Sequence, residues 1–288
     1  MLHSRRVVPA LLVLACLTTL TAAGRPAAAP IDAVSLGGLE RRLRFIASDA
    51  LEGRDSMSPG FRAAAEYVAS ELRALGLTPR GDAGSFLQRV TMRRASVDAA
   101  ATRVEVNDQA FAHGDDLLAT GRGTASGPVV YVGHGYRVPS KGIDPFAALD
   151  VRGAVLLVLP GLPPGVSFQD LQRLAKGKDW WGPEDNARAL GATAVIRVAG
   201  FEDLANWQRT RDRQTSRGAL VVDRLTPEGS DLPVVTAGPR LLAALMRGER
   251  DSGARLHERA STKDAGDPFA LSAAKRVTVT VVARVTRE

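Results

Sequence analysis

Residues Leu43 to Leu77 read LRFIASDALEGRDSMSPGFRAAAEYVASELRALGL, the most specific pattern in the chain. Within it, Leu51-Glu52-Gly53-Arg54 predicts a tight turn. Ser58 is a favourable N-cap, and a proline after it suits the first helical position. Apolar residues then recur at helical spacing, and Gly76 is placed to end the helix in the left-handed conformation. The segment therefore predicts a turn followed by an amphipathic helix.

A helix is also predicted before this turn, from Ser35 to Ser48. Its apolar positions, Leu36, Leu39, Leu43 and Ile46, recur at the spacing that places them on one face. The two predicted helices then form a hairpin, each with one apolar face.

Four short phrases in this region carry a family resemblance. They are Ala47-Ser48-Asp49, Leu51 to Arg54, Ser58-Pro59-Gly60 and Leu75-Gly76-Leu77. In this order they resemble the segment that precedes the catalytic domain of the family-28 metallopeptidases, which are secreted di-zinc aminopeptidases. An ordinary amphipathic helical hairpin is the alternative interpretation of the periodicity alone.

The second part of the chain predicts strands that alternate with helices. A buried-type strand is expected at 128–133, further strands at 154–159, 192–198, 220–222 and 232–235, and helices at 184–190 and 239–246. Four phrases, Val129 to Tyr136, Asp144 to Leu159, Ala187 to Ile196 and Leu232 to Ala237, resemble the protease-associated domain, an α/β module inserted in many such peptidases. The predicted fold class is therefore α/β (α+β), with an N-terminal helical segment followed by an inserted β-rich α/β domain.

These patterns predict a domain organisation. Residues 35–125 form the N-terminal helices and a hairpin at 104–111, with further strands at 86–92 and 117–120, and residues 126–250 form the protease-associated domain. A flexible polar stretch follows at 251–275, and a strand at 276–288 would return to a peptidase core absent from this chain. On this interpretation the apolar faces of helix 61–75 and strand 276–285 should be incompletely covered.

The N-terminus resembles a secretory signal. Residues 1–24 have a positive start, an apolar run and small residues after it, and 25–34 form a Pro/Ala linker. This predicts a secreted or periplasmic protein. Cys16, the single cysteine, lies inside the apolar run, so membrane attachment is expected only if Cys16 is lipidated.

The net charge of +7 and the pI of about 10.1 raise the question of nucleic-acid binding. The arginines are scattered among acidic residues, and no nucleic-acid-binding motif accompanies them. The prediction is that nucleic acid is not a partner.

The resemblance implies zinc chemistry only for a part that this sequence lacks. Family-28 enzymes use a His-x-Asp phrase, an Asn-Asp-Asp phrase, a Glu-Glu pair and a late histidine, whereas this sequence has no Glu-Glu pair and no Asn-Asp-Asp. His113-Gly114-Asp115, followed by Asp116, spells His-x-Asp. It lies before the inserted domain, where the family carries no ligand, and is interpreted as a chance match. No metal ligand, catalytic residue or cofactor is therefore assigned in this chain.

The other candidate residues have structural interpretations. His134 occupies an aromatic position of the resemblance and is expected to pack, whereas His257 is expected to be solvated. Trp180-Trp181 and Trp207 could line a peptide groove, but a loop clamp and a helix face are favoured.

Two functions remain open. The first is a non-catalytic N-terminal and protease-associated portion of a secreted zinc aminopeptidase-like protein, which shapes substrate access to a catalytic core. The alternative is a stand-alone periplasmic module that binds a protein or peptide. The expected partners are a peptidase core or a peptide.

Overall fold

The computed structural model describes residues 34–222, 232–262 and 264–287, and the chain divides into two compact units. The first unit ends at Arg89 and the second begins at Val90. The predicted signal 1–24, with Cys16, and nearly all of linker 25–34 lie outside the described residues. Among the helices of the described residues, none has the length and apolar character needed to span a membrane.

The first unit contains the predicted helical hairpin. Helix α1 spans Leu36–Ile46, a 3₁₀ turn spans Asp49–Arg54, and helix α2 spans Pro59–Ala74. The Ser58 hydroxyl accepts a hydrogen bond from the Phe61 amide at 3.0 Å, which caps α2 as predicted. The chain then leaves the helix through Gly76, whose φ is +74°, so the predicted left-handed ending is also confirmed.

Two side-chain contacts join α1 to α2. The rings of Phe45 and Tyr67 have centroids 4.3 Å apart. Arg42 forms an ion pair with Glu71 at 2.6 Å between Nε and Oε2. Both contacts are partly exposed to solvent, so each contributes little to the free energy of folding. Their role is to align the two helices.

The prediction of a strand at 86–92 is wrong, because residues 86–91 form no strand. Here the backbone folds back on the turn at Asp82, whose amide donates to the Leu87 carbonyl at 2.8 Å. The Asp82 carboxylate accepts a hydrogen bond from the Arg89 amide at 2.7 Å. These bonds use the backbone groups that a strand would need, and strand β1 begins only at Met92.

The second unit contains the remaining elements. The strands are β1 Met92–Val97, β2 Arg103–Val106, β3 Gln109–Ala112, β4 Leu117–Thr120, β5 Gly123–Gly127, β6 Val129–Tyr131, β7 Val155–Val158, β8 Ala194–Val198, β9 Ala219–Val222, β10 Val234–Ala237, β11 Phe269–Ala270, β12 Val277–Val281 and β13 Ala283–Arg287. The helices are α3 Phe168–Arg173, α4 Pro183–Leu190, α5 Phe201–Ala205, α6 Trp207–Asp212, α7 Pro239–Met246 and α8 Gly253–Thr262, with one π-helical turn at Arg213–Arg217.

The strands form three sheets. A six-stranded sheet has the order β11-β6-β7-β8-β10-β4, and its four central strands β6, β7, β8 and β10 run parallel. An antiparallel sheet has the order β3-β2-β12-β5, and another has the order β13-β1-β9. The fold is therefore α/β, as predicted.

Alternation along the parallel strands separates two cores. One face is buried against α7, α8 and the four-stranded sheet, and its fully buried residues include Tyr131, Leu157, Ile196, Leu241, Leu256 and Val279. The other face is buried against α4, with Val130, Leu156, Val195 and Ala187. Because both faces of the parallel sheet are covered, its strands are almost continuously apolar.

The boundary expected near residue 125 differs from the division in the structure. Strand β4 pairs with β10, and β5 pairs with β12, so residues 117–127 belong to the same unit as the parallel sheet. The division lies at Arg89 because the strands after it are joined by backbone hydrogen bonds to strands late in the chain.

Two further expectations for the C-terminal region are corrected. The polar stretch 251–275 contains helix α8 and the short strand β11, because the fully buried Leu256 holds α8 against the core. The single strand expected at 276–285 is two strands in two sheets, β12 and β13. The valines of β12 are buried, so the expectation of incomplete cover is wrong for this strand, whereas Val285 in β13 is exposed.

Candidate functional site

The four parallel strands end at one edge of the six-stranded sheet. Strands β7, β8 and β10 pair in register, so their carboxyl ends and the loops after them lie together. In open α/β sheets, ligands bind in the crevice at this edge. A cavity of about 800 Å³ lies there, which is within the size range of small-molecule and peptide sites. We call it the strand-end cavity.

The wall of the strand-end cavity combines apolar and polar groups. Its apolar part includes Leu159, Pro160, Phe201, Leu204, Pro239 and Ala260, and its polar part consists of Arg197, Glu202, Asp203, Thr236, His257 and Ser261, with the Tyr136 ring beside them. Loops after all four parallel strands and one side of α8 therefore supply the site. This is the combination of an apolar wall with a few polar groups that binding sites use.

Helix α5 forms one side of the cavity. Phe201, its first residue, is 88% exposed, which is unusual for so large an apolar side chain. Glu202 and Asp203 follow it and are also exposed. The Asp203 carboxylate accepts a hydrogen bond from the Gly200 amide at 2.8 Å, which fixes its position at the start of the helix.

His257 lies on α8 and lines the cavity. Its Nε2 atom is shielded from solvent and has no hydrogen-bond partner among the described residues. Burial lowers the pKa of His257 below its ordinary value, which favours the neutral ring. The prediction that His257 is solvated holds only in part, because the residue is half-buried on α8 and lines the cavity.

The side chains of the His-x-Asp phrase have separate partners. His113 is buried, and its Nε2 atom hydrogen-bonds to the Gln214 side chain at 3.1 Å. Asp116 forms an ion pair with Arg240, with 2.9 Å between Oδ1 and Nη1. Asp115 is exposed. Each side chain has a different environment, so these residues do not fit the zinc ions of the resembled family. Over the described ranges, three or more histidine, cysteine, aspartate or glutamate residues do not come together as metal ligands.

His134 is buried where β6 ends. Its Nδ1 atom lies 2.9 Å from the Pro160 carbonyl oxygen, and it stands between Gly133 and Gly135, both at positive φ. This environment agrees with the packing role that the sequence predicted.

The tryptophans hold loops rather than lining the strand-end cavity. Trp180 stacks on Tyr136 with ring centroids 6.2 Å apart, and the Arg137 guanidinium lies 4.3 Å from the Trp181 ring centroid. Trp207 donates from its indole nitrogen to the Gly114 carbonyl at 2.7 Å. These contacts match the favoured interpretation of a loop clamp and a helix face.

The first unit has a second candidate surface on its helices. Along α1, Leu36, Leu39 and Leu43 are 81%, 54% and 63% exposed, and we call this row the α1 stripe. On α2, Phe61 and Val68 are also exposed, as expected for the apolar face of that helix. An apolar row of this length is typical of an interaction surface.

The sequence alone did not point to Arg197, Phe201, Glu202 and Asp203 as site residues. A signal was present, because Arg197 is the one exposed residue of the run AVIRV and the other three lie within five residues of its end, where a parallel strand delivers side chains to the ligand edge. The order of strands in the sheet was needed to show that this edge is shared by several strands.

Comparisons with known proteins give distant structural likeness alone. No family model matches the chain, and no curated protein matches it. Among solved structures it is similar to an aminopeptidase from Aneurinibacillus sp. strain AM-1, with 17% sequence identity and a TM-score of 0.40. The match covers 86% of this chain and 45% of that aminopeptidase, so the chain spans a little under half of its length.

Proposed function

We propose that this chain is the non-catalytic N-terminal and protease-associated portion of a secreted, zinc aminopeptidase-like protein. In this role it binds a peptidase catalytic core and shapes the access of substrates to it. The proposal includes export by residues 1–24. The motif resemblance of residues 47–77 supports it, and the exposed α1 stripe is the observation that carries it.

The α1 stripe supports the proposal because apolar side chains in this arrangement gain free energy when covered. Burying one leucine side chain contributes about 1.5–3 kcal/mol. Leu36, Leu39 and Leu43 lie on one side of a helix, so a single flat partner surface can cover all three. A peptidase core that presents an apolar face is such a partner.

Activity and binding test this proposal separately. The full chain should show no zinc-dependent hydrolysis of aminoacyl-nitroanilides, and stoichiometric zinc with chelator-sensitive hydrolysis would overturn the non-catalytic role. A family-28 catalytic domain added in trans should bind the chain in calorimetry. Leu39→Ser should weaken that binding about tenfold, while Phe168→Ser, which changes another exposed apolar residue, should leave it unchanged.

Export has its own test. The mature N-terminus of protein secreted from a bacterial host should lie near residue 24, and mass spectrometry should show an unmodified Cys16 peptide removed with the signal. A lipid adduct on Cys16 would instead make the protein membrane-attached, and an intact N-terminus would overturn export.

A second function, a stand-alone module that binds a protein or peptide, is favoured by one observation. The strand-end cavity has the volume and the mixed wall of a ligand site, and it is built entirely from the second unit. A screen of short peptides against the full chain tests this function. Failure of all peptides to bind would remove it and would leave the first proposal unaffected.

A further inference from the structure

The strand-end cavity also has features that select among peptides. We propose that it binds peptides which combine an apolar side chain with a positive charge. This inference deepens the second proposed function, the peptide-binding module, and does not depend on a peptidase partner.

The apolar preference comes from α5 and from apolar residues of other elements that line the cavity. Phe201 and Leu204 are both exposed at the cavity, and Pro160, Pro239 and Ala260 contribute further apolar surface. A ligand side chain placed here would remove the Phe201 ring from water without any change in the core. Because the gain is proportional to apolar area, a large apolar residue binds better than a small one.

The charge preference comes from the sign of the groups at the cavity. Arg197, its one cationic side chain among the described lining residues, forms an ion pair with Glu184 and is therefore neutralised. Glu202 and Asp203 form no salt bridge with any residue that the structure describes. Two carboxylates thus remain at the rim.

This negative rim differs from the chain as a whole, whose net charge is +7. A local reversal of sign attracts cationic ligands and opposes anionic ones, since complementarity of charge sets specificity. The other polar side chains of the wall are Thr236, Ser261 and His257, and burial lowers the pKa of His257. The neutral His257 ring and the Ser261 hydroxyl can accept or donate hydrogen bonds to a peptide backbone without adding charge.

Calorimetric titration of the full chain tests the inference with four probes. Phenylalanyl-leucyl-lysine amide carries both features. Two analogues have an acetylated N-terminus and carry glutamine or glutamate in place of lysine, so the first is neutral and the second is anionic. Lysyl-glycyl-lysine amide has positive charge without a large apolar group. The first peptide should bind at least about tenfold more tightly than the others, and raising the ionic strength from about 0.01 to 0.15 M should reduce the difference.

Exposed substitutions locate the site without disturbing the fold. Phe201→Ala should weaken binding of the lysine peptide about tenfold, and Glu202→Gln about two- to fivefold at low salt. The matched controls are Phe168→Ala, which removes a 68% exposed ring from α3, and Glu258→Gln, which removes an exposed charge from α8. Both controls should leave the affinity unchanged.

The outcomes separate the two levels of the proposal. Equal affinities for the lysine, glutamine and glutamate peptides would overturn the charge preference and leave a peptide-binding function standing. Binding of none of the four would overturn both. Equal effects of the Phe201 and Phe168 variants would overturn the assignment to the strand-end cavity.

Discussion

Replacing Gly60 by alanine tests why the turn at residues 51–54 and the Ser-Pro-Gly start of α2 occur together. Gly60 is the second residue of α2 and lies directly against the Leu51 backbone. A Cβ atom at position 60 would clash with the Leu51 carbonyl oxygen and would stand 2.6 Å from its carbonyl carbon. The close approach of turn and helix therefore requires a residue without a side chain.

The expected magnitude combines two opposing effects. At an unobstructed position, replacing glycine by alanine stabilises the helix by up to about 1 kcal/mol. Here the backbone of the turn must move, and overpacking of this kind costs about 1–3 kcal/mol. Gly37→Ala in α1 is the matched control, since nothing lies within 4 Å of its Cβ position. The Gly60 variant should be less stable than the Gly37 variant by about 2 kcal/mol or more.

Hydrogen exchange of the α2 amides in the full chain measures this difference within the first unit. The exchange of α2 should become faster in the Gly60 variant and should stay the same or slow in the Gly37 variant. Equal protection in the two variants would refute the packing argument, because the helix would then tolerate a Cβ atom against the turn.

Three further predictions concern capping, the core and pH. Ser58→Ala should destabilise α2 by about 1 kcal/mol through loss of its cap, seen as faster exchange of the first amides of the helix. Leu256→Ala should lower the free energy of unfolding of the second unit by about 2–5 kcal/mol in urea titrations. The control Glu258→Ala, on the same helix, should lower it by less than about 0.5 kcal/mol, and equal losses would contradict the packing of α8. Burial lowers the pKa values of His113 and His257 below 6.5, so the unfolded chain binds more protons and the free energy of unfolding should fall as pH decreases through about 6.5. His113→Gln should reduce the slope of the free energy of unfolding against pH, and an unchanged slope would contradict the burial of His113.

Local patterns gave most elements of the fold correctly. Both helices of the first unit, the hairpin of β2 and β3, and the central strands were predicted because caps, turn residues and apolar runs act over a few positions. The strand at 86–92 was wrong because the hydrogen bonds of Asp82 compete with strand pairing. Helix α8 was missed because its polar composition hides the one residue, Leu256, that anchors it.

The candidate sites were harder to predict. The sequence assigned no metal ligand to His113, Asp115 and Asp116 because of their position in a resemblance, and it carried no information on the separate partners that these side chains have in the structure. It missed the strand-end cavity, because the cavity is assembled from loops that lie far apart in the chain. It also placed His257 in solvent, whereas the residue is half-buried, because nothing local to it shows that α8 packs against the core.

What the sequence determined by itself is the set of local structures and the resemblance in residues 47–77, since caps, glycines and periodic apolar residues act within one or two turns of chain. What only the tertiary structure decided is where those elements meet. The pairing of β4 and β12 with distant strands, the division at Arg89 and the meeting of strand ends at one cavity all depend on contacts between residues far apart in sequence. Such contacts are selected by the burial of whole faces, a property of the folded chain that no single segment carries.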